Sequence, residues 1–108
     1  EQVVNQRRGH VIPARLALHQ NLPNPFGSAA HQTTIGFDLP RPAQVRLAVL
    51  DVSGRMIRML VDETLPAGRH LAVWNGQDLR GHRVESGVYF CILKSGQEEL
   101  TKQMLLLR

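Results

Sequence analysis

A chain of 108 residues has room for one domain with a single modest core, and 43% hydrophobic with 20% charged residues is an ordinary globular composition. The 13 Lys and Arg against 9 Asp and Glu give a net charge of +4, yet the arginines are scattered and only 3 Phe, 1 Trp and 1 Tyr are present, so a base-stacking nucleic-acid surface is not expected. There is no apolar run long enough for a membrane helix, and EQVVNQRRGHVIPAR has no apolar centre of a signal peptide, so any export signal is expected on a longer precursor.

Residues 1–14 are polar, carry Arg7, Arg8 and Gly9, and follow neither a period of 2 nor one of 3.6. They read as a linker from an upstream domain, with residues 15–108 as the domain itself. Residues 16–19 form a short first strand that stops at Asn21. NLPNPFGSAAHQ is then a loop stiffened by Pro23 and Pro25, expected to cross in a nearly polyproline-like path with Phe26 plugged into the core. Residues 34–39 alternate, with Ile35, Phe37 and Leu39 on one face, and Pro40 and Pro42 end the strand. Val45, Leu47 and Val49 alternate in the next strand. The turn Asp51-Val52-Ser53-Gly54 leads back into residues 55–61 as a hairpin.

Residues 62–68 read as a loop, with Pro66 and Gly68 marking the turn, and residues 71–75 as a strand carrying Trp74. A second long loop, with Asn75-Gly76 and Arg80-Gly81, runs to Ser86-Gly87. Residues 88–94, within the apolar run VYFCIL, are strongly β-forming, and Ser95-Gly96 turns the chain into a last strand, residues 98–108. Seven short strands at regular spacing with no helical period predict an all-β, seven-stranded antiparallel β-sandwich of the immunoglobulin or fibronectin-III type. Tyr89, two residues before Cys91, occupies a tyrosine-corner position. Trp74 falls on the fifth strand rather than the third, so an antibody-type domain is not expected.

Catalytic chemistry finds little to work with. Cys91 is alone in an apolar run, where a thiol is a small hydrophobe and no disulfide is possible within the chain. His10, His19, His31, His70 and His82 have no zinc-ligand spacing, and His70 reads as a packed strand residue. Asp51, Asp62, Asp78 and Glu85 lie in or beside loops without the one-in-two spacing of an EF-hand, so they read as solvated turn residues. No enzyme activity, metal or cofactor is expected.

Five segments occur in one order: QNLPNPF, TTIGFDLP, VRLAVLDVSGRMIRMLVD, AGRHLAVWNGQDLRGHRVESGVYF and the terminal TKQMLLLR. Together they resemble the C-terminal sorting domain of proteins exported by the bacterial type IX (Por) secretion system, a domain related to the immunoglobulin-like repeat of the flagellar hook-capping protein. The resemblance covers residues 16–108. It implies a non-catalytic address label on an upstream cargo, recognised in the periplasm, passed through an outer-membrane translocon and acted on by a cell-surface sortase, so that the product is secreted or attached to the cell surface. By the same resemblance the family motif falls on Pro23, Asn24, Pro25, Phe26, Gly54, Gly68, Trp74, Gly76, Gly87 and Tyr89, and the recognition signal on Lys102, Met104, Leu105, Leu106, Leu107 and Arg108. The sequence departs from the family pattern at Leu22, Gly27-Ser28 and Gln103. The rival expectation is a structural or carbohydrate-binding accessory module. The terminal strand itself has two readings that coexist: a core filler with Met104 and Leu106 inward, or a segment that detaches and adds to a receptor's sheet edge.

Overall fold

Alternation along the strands decides which side chains meet between two sheets. The computed structural model describes residues 12–28 and 30–108, and among these it contains eight strands and no helix. The strands are β1 (Ala17–Leu18), β2 (Phe26–Gly27), β3 (Thr33–Leu39), β4 (Ala43–Asp51), β5 (Met56–Leu65), β6 (Gly68–Trp74), β7 (Gly87–Ser95) and β8 (Glu98–Leu107). One sheet has the order β1-β3-β6 and the other β2-β8-β7-β4-β5, so the architecture is a two-sheet, all-β sandwich. Eleven of the first fourteen residues, the bulk of the expected linker, lie outside the described residues.

Both sheets turn their regular apolar positions inward. Ile35, Phe37 and Leu39 from β3 are buried against Val45, Leu47 and Val49 from β4, Tyr89, Cys91 and Leu93 from β7, and Met104 and Leu106 from β8. The hairpin between β4 and β5 forms as its turn chemistry requires. The Asp51 carboxylate accepts hydrogen bonds from the Ser53 and Arg55 amides at 2.9 and 3.0 Å, which closes the turn locally. His70 stacks on Phe37, ring centroids 5.4 Å apart, and is held by the Pro66 carbonyl oxygen, a packed strand residue as expected.

Three features differ from the sequence expectation. The strand count is eight among the described residues rather than seven, because Phe26 and Gly27 form a two-residue strand. It pairs with β8 in parallel, so the sandwich is not wholly antiparallel. A two-residue pairing across eighty positions leaves no local period to read. Next, β5 continues through Asp62, Glu63 and Thr64 to Leu65, a stretch expected to be loop. This strand is an edge of its sheet and those polar side chains face solvent, where a strand needs no apolar alternation. Finally, the Leu22–Pro23 and Asn24–Pro25 peptide bonds are both cis, so the proline loop does not follow the polyproline-like path expected of it.

The outward face of the five-stranded sheet carries a distinctive pattern. Register places Asp62, Arg46, Lys94 and Glu99 in one row across β5, β4, β7 and β8. The next outward row is Met59, Ala48 and Ile92, with Thr101 on β8. Beyond it come Met56, Leu50 and Phe90, with Gln103 on β8, and then Val88 beside Leu105. The face therefore passes from a fully charged row into three rows that are apolar across most of the sheet.

Candidate functional site: the terminal strand and its clasp

The terminal strand is held on both edges over its last residues. One edge of β8 pairs antiparallel with β7, Gly87 opposite Leu106 and Tyr89 opposite Met104. The other edge is occupied by β2, Phe26 opposite Leu106 and Gly27 opposite Leu107, and the Ser28 amide donates to the Leu107 carbonyl oxygen at 2.9 Å. Just before this contact the Leu105 amide donates to Asn24 Oδ1 at 2.9 Å, and Gln20 Nε2 donates to the Gln103 carbonyl oxygen at 2.7 Å. The proline segment is thus a clasp along the outer edge of the strand that ends the sequence.

A buried polar cluster sets the clasp in position. Asn21 and Thr33 are almost wholly inaccessible, yet their polar atoms are satisfied. Asn21 Nδ2 donates to Thr33 Oγ1 at 2.9 Å and to the Pro23 carbonyl oxygen at 3.2 Å, while the Thr33 hydroxyl donates to the same carbonyl at 2.8 Å. Gln20 Nε2 donates to Asn21 Oδ1 at 2.7 Å, so β3, the proline loop and β8 are linked through one network. Sequence reasoning missed Gln20, Asn21 and Thr33. The available signal was parity: Thr33 continues the inward series Ile35, Phe37, Leu39 and is a polar residue at a core position.

The last residue is latched separately. Arg108 Nε donates to the Val84 carbonyl oxygen at 3.1 Å, one of its terminal nitrogens donates to the Gly76 carbonyl oxygen at 2.9 Å, and its amide donates to Ser86 Oγ at 2.9 Å. Gly76 has φ +75°, and a Cβ there would sit 2.9 Å from the Arg108 guanidinium nitrogen and 3.7 Å from the Phe26 ring. Glycine at this position lets the loop carbonyl, the arginine and the aromatic ring share one corner. Ser86 and Val84 carried no sequence signal for this role.

An aromatic column stands beneath these contacts. Trp74 is fully buried, edge-on to Phe26 at 5.4 Å on one side and to Tyr89 at 5.2 Å on the other. Its Nε1 donates to the Gln77 carbonyl oxygen at 2.9 Å. The Tyr89 hydroxyl donates to the Glu85 carbonyl oxygen four residues upstream at 2.6 Å, the tyrosine-corner geometry anticipated from its position. Burial, then the nearby Glu85 and Asp51 charges, push the Tyr89 phenol above its ordinary value and keep it a donor. Replacing Tyr89 with phenylalanine is expected to cost about 1–2 kcal/mol, read from the urea midpoint, because the Glu85 carbonyl loses its partner.

The structure brings Pro23, Asn24, Pro25, Phe26, Trp74, Gly76, Gly87 and Tyr89 together around β8. Gly54 and Gly68 lie apart from it, in the turn after β4 and at the start of β6. Of the expected recognition residues, Met104 and Leu106 are core, Leu105 is half-buried on the outward face, and Lys102 and Leu107 are exposed. The Arg108 side chain, though exposed, is committed to its latch.

Elsewhere, the chemistry is that of a packed scaffold. Asp51 and Asp78 accept bonds from their own turns: Ser53 Oγ and the Ser53 and Arg55 amides at Asp51, the His82 and Arg80 amides at Asp78. These bonds hold both carboxyls below the ordinary value. Among the described residues no three His, Cys, Asp or Glu side chains gather as metal ligands. Burial pushes the Cys91 thiol up to about 12 from its ordinary 9.0. A thiol-alkylating reagent at pH 8 is accordingly expected to label Cys91 only as the domain unfolds. The sign of the pH dependence follows. The folded value lies above the unfolded one, so this contribution is complete below about pH 9 and is lost as the pH rises towards 12. Cys91→Ala is expected to flatten that alkaline loss in a series of urea midpoints.

A family model described as FlgD Ig-like domain matches residues 24–97, ending immediately before β8. No curated protein matches the sequence. Among solved structures, PorZ is similar with a TM-score of 0.58 at 20% identity, over 86% of this chain and 11% of that one. PorZ is described as an essential bacterial surface component of the type-IX secretion system of the human oral-microbiomic Porphyromonas gingivalis. FlgD from P. aeruginosa is similar with a TM-score of 0.55, also at 20% identity, over 68% of this chain and 58% of that one. Likeness at this identity establishes a common fold, and the chain spans only part of either protein.

Proposed function

Because the chain belongs to the FlgD Ig-like domain family, we propose that it is a non-catalytic sorting domain of the immunoglobulin-like sandwich type, directing an upstream cargo through the type IX secretion system. Its partners are the outer-membrane translocon, a cell-surface sortase and the cargo it carries. Its destination, reached through the periplasm, is the medium or the cell surface. The observation that carries the reading is the convergence of otherwise scattered motif residues on the terminal strand. Asn24, Phe26, Gly76, Gly87 and Tyr89 bond or pair with residues 104–106 and 108, and Trp74 packs against Phe26 and Tyr89. The similarity in fold to PorZ is consistent with that context.

The carbohydrate-binding alternative has less to stand on. A sugar platform needs exposed aromatic faces, and Trp74 is 0% and Tyr89 7% accessible. The test is a fusion of residues 10–108 to a reporter in a type IX-competent bacterium. Export that is lost on deletion of residues 102–108 is the expected result. Failure of the intact fusion to leave the cell, or export indifferent to the deletion, overturns the reading.

A further inference from the structure

We infer that the export receptor docks, through an apolar and uncharged surface, on the outward face of the five-stranded sheet of the folded domain, with residues 105 and 107 as one end of that surface. This rests on the sorting reading above and changes what is being read: a sheet face rather than a detached strand.

Strand β8 leaves little free at its end. Near the terminus its main-chain edges are taken by β7 and β2, Met104 and Leu106 are buried, and Arg108 is latched to Val84 and Gly76. A receptor meeting the folded domain there finds the outward side chains Leu105 and Leu107, the latter 47% exposed. Leu105 lies directly beside Val88, and the apolar rows run on from there through β7 and β4 to Met56 and Met59 at the far edge. The terminal signal and the sheet face are one continuous surface.

A sandwich strand with one face in water should alternate apolar and polar residues. In β7 the inward residues Tyr89, Cys91 and Leu93 are apolar, and so are the outward Val88, Phe90 and Ile92. That is the sequence of a strand covered on both sides, whereas in the described chain the three outward side chains are only half-buried.

The charged row beside the patch neutralises itself, Arg46 Nε lying 3.4 Å from Asp62 and Lys94 Nζ 3.7 Å from Glu99. No net charge remains on that rim to draw a charged ligand. Three rows about 7 Å apart across two to three strands about 5 Å apart give a patch of roughly 200–300 Å². A stable dimer buries about 800 Å² per partner, so the patch is too small for lasting self-association and fits a short-lived hand-over. Met56 and Met59 border a shallow dimple of about 130 Å³ with Ala48, Leu50 and Ile92, closed towards the charged row by Arg46 and Lys94, an adaptable seat for one apolar side chain.

The experiment places two pairs of threonines in the reporter fusion, Met56→Thr with Met59→Thr and, separately, Val88→Thr with Ile92→Thr. Threonine keeps β-propensity, and the first pair lies on the strand furthest from the terminus. Each purified chain is checked by thermal melting, so that if one pair fails to fold the other still decides. Folded variants are expected to export about tenfold less reporter, as loss of an anchoring contact would dictate. Normal export from both folded pairs, with deletion of residues 102–108 still blocking it, overturns this inference and leaves the sorting reading intact. Export untouched by all three changes overturns both. A stable dimer of the unaltered chain in sedimentation, dissolved by the threonines, assigns the face to a second copy and overturns the inference as well.

Discussion

Trp74→Ala is expected to lower the stability of the domain by about 3–5 kcal/mol, the range for removing a fully buried large aromatic side chain. In a chain of this size that displaces the thermal midpoint by more than about 10 °C. The indole makes two kinds of contact at once. Its faces and edge contribute aromatic packing against Phe26 and Tyr89, at 5.4 and 5.2 Å, worth about 0.5–1.5 kcal/mol per pair beyond burial. Its Nε1 satisfies the Gln77 carbonyl oxygen, which anchors the loop that carries Gly76 to the core. Alanine leaves a cavity between strands from both sheets, and β-sheet backbones held by register on each side collapse into it poorly. Val73→Ala is the control: Val73 is 48% exposed and its truncation should stay within about 0.5 kcal/mol. Urea denaturation of the two variants distinguishes them. Equal effects would mean that the aromatic column does not organise this corner.

Much of this architecture was legible because it is periodic or local. The alternation in residues 34–39 and 45–50 named the inward faces, and the Asp51-Val52-Ser53-Gly54 turn announced its hairpin through a side chain that caps its own backbone. Tyr89 was identified by position alone, since its partner Glu85 is only four residues away. Met104 and Leu106 were expected inward and are.

What escaped has no local signature. The pairing of Phe26 with Leu106 depends on the whole sandwich being assembled, and so do the bonds from Gln20 to Gln103 and from Arg108 to Gly76. The polar end of β5 was hidden for a different reason: an edge strand exposed on its outer side does not need an apolar pattern to form. The outward face shows an intermediate case. The continuous run VYFCIL was visible, but a run that is apolar on both faces says only that something covers it. Register was needed to show that the rows continue apolar across β4 and β5, and that Leu105 on β8 lies beside Val88.

Gly27→Ala is expected to open the clasp, at a cost of about 2–4 kcal/mol from backbone strain and lost main-chain hydrogen bonds. Gly27 has φ +138°, a conformation L side chains rarely adopt, and its added methyl would land on the Leu107 carbonyl oxygen, 2.6 Å from the carbonyl carbon. These are backbone atoms of the strand paired with it and cannot swing aside as a side chain would. The two-residue strand must therefore move off β8, breaking the pairing of Phe26 with Leu106 and the bond from the Ser28 amide to Leu107. Amide hydrogen exchange should report this directly. Leu105, whose amide is held by Asn24 Oδ1 in the clasp, should lose protection, while Leu47 and Leu93 in the centre of the sheet keep theirs apart from the global loss. The variant also separates two ways of reading the terminus. A receptor that pairs with the main-chain edge of β8 gains access when β2 leaves, and export of a reporter should then hold or rise. A receptor seated on Leu105, Val88 and the rows beyond them depends on the terminal strand staying flat against the sheet. For that receptor, export should fall in step with the lost protection at Leu105.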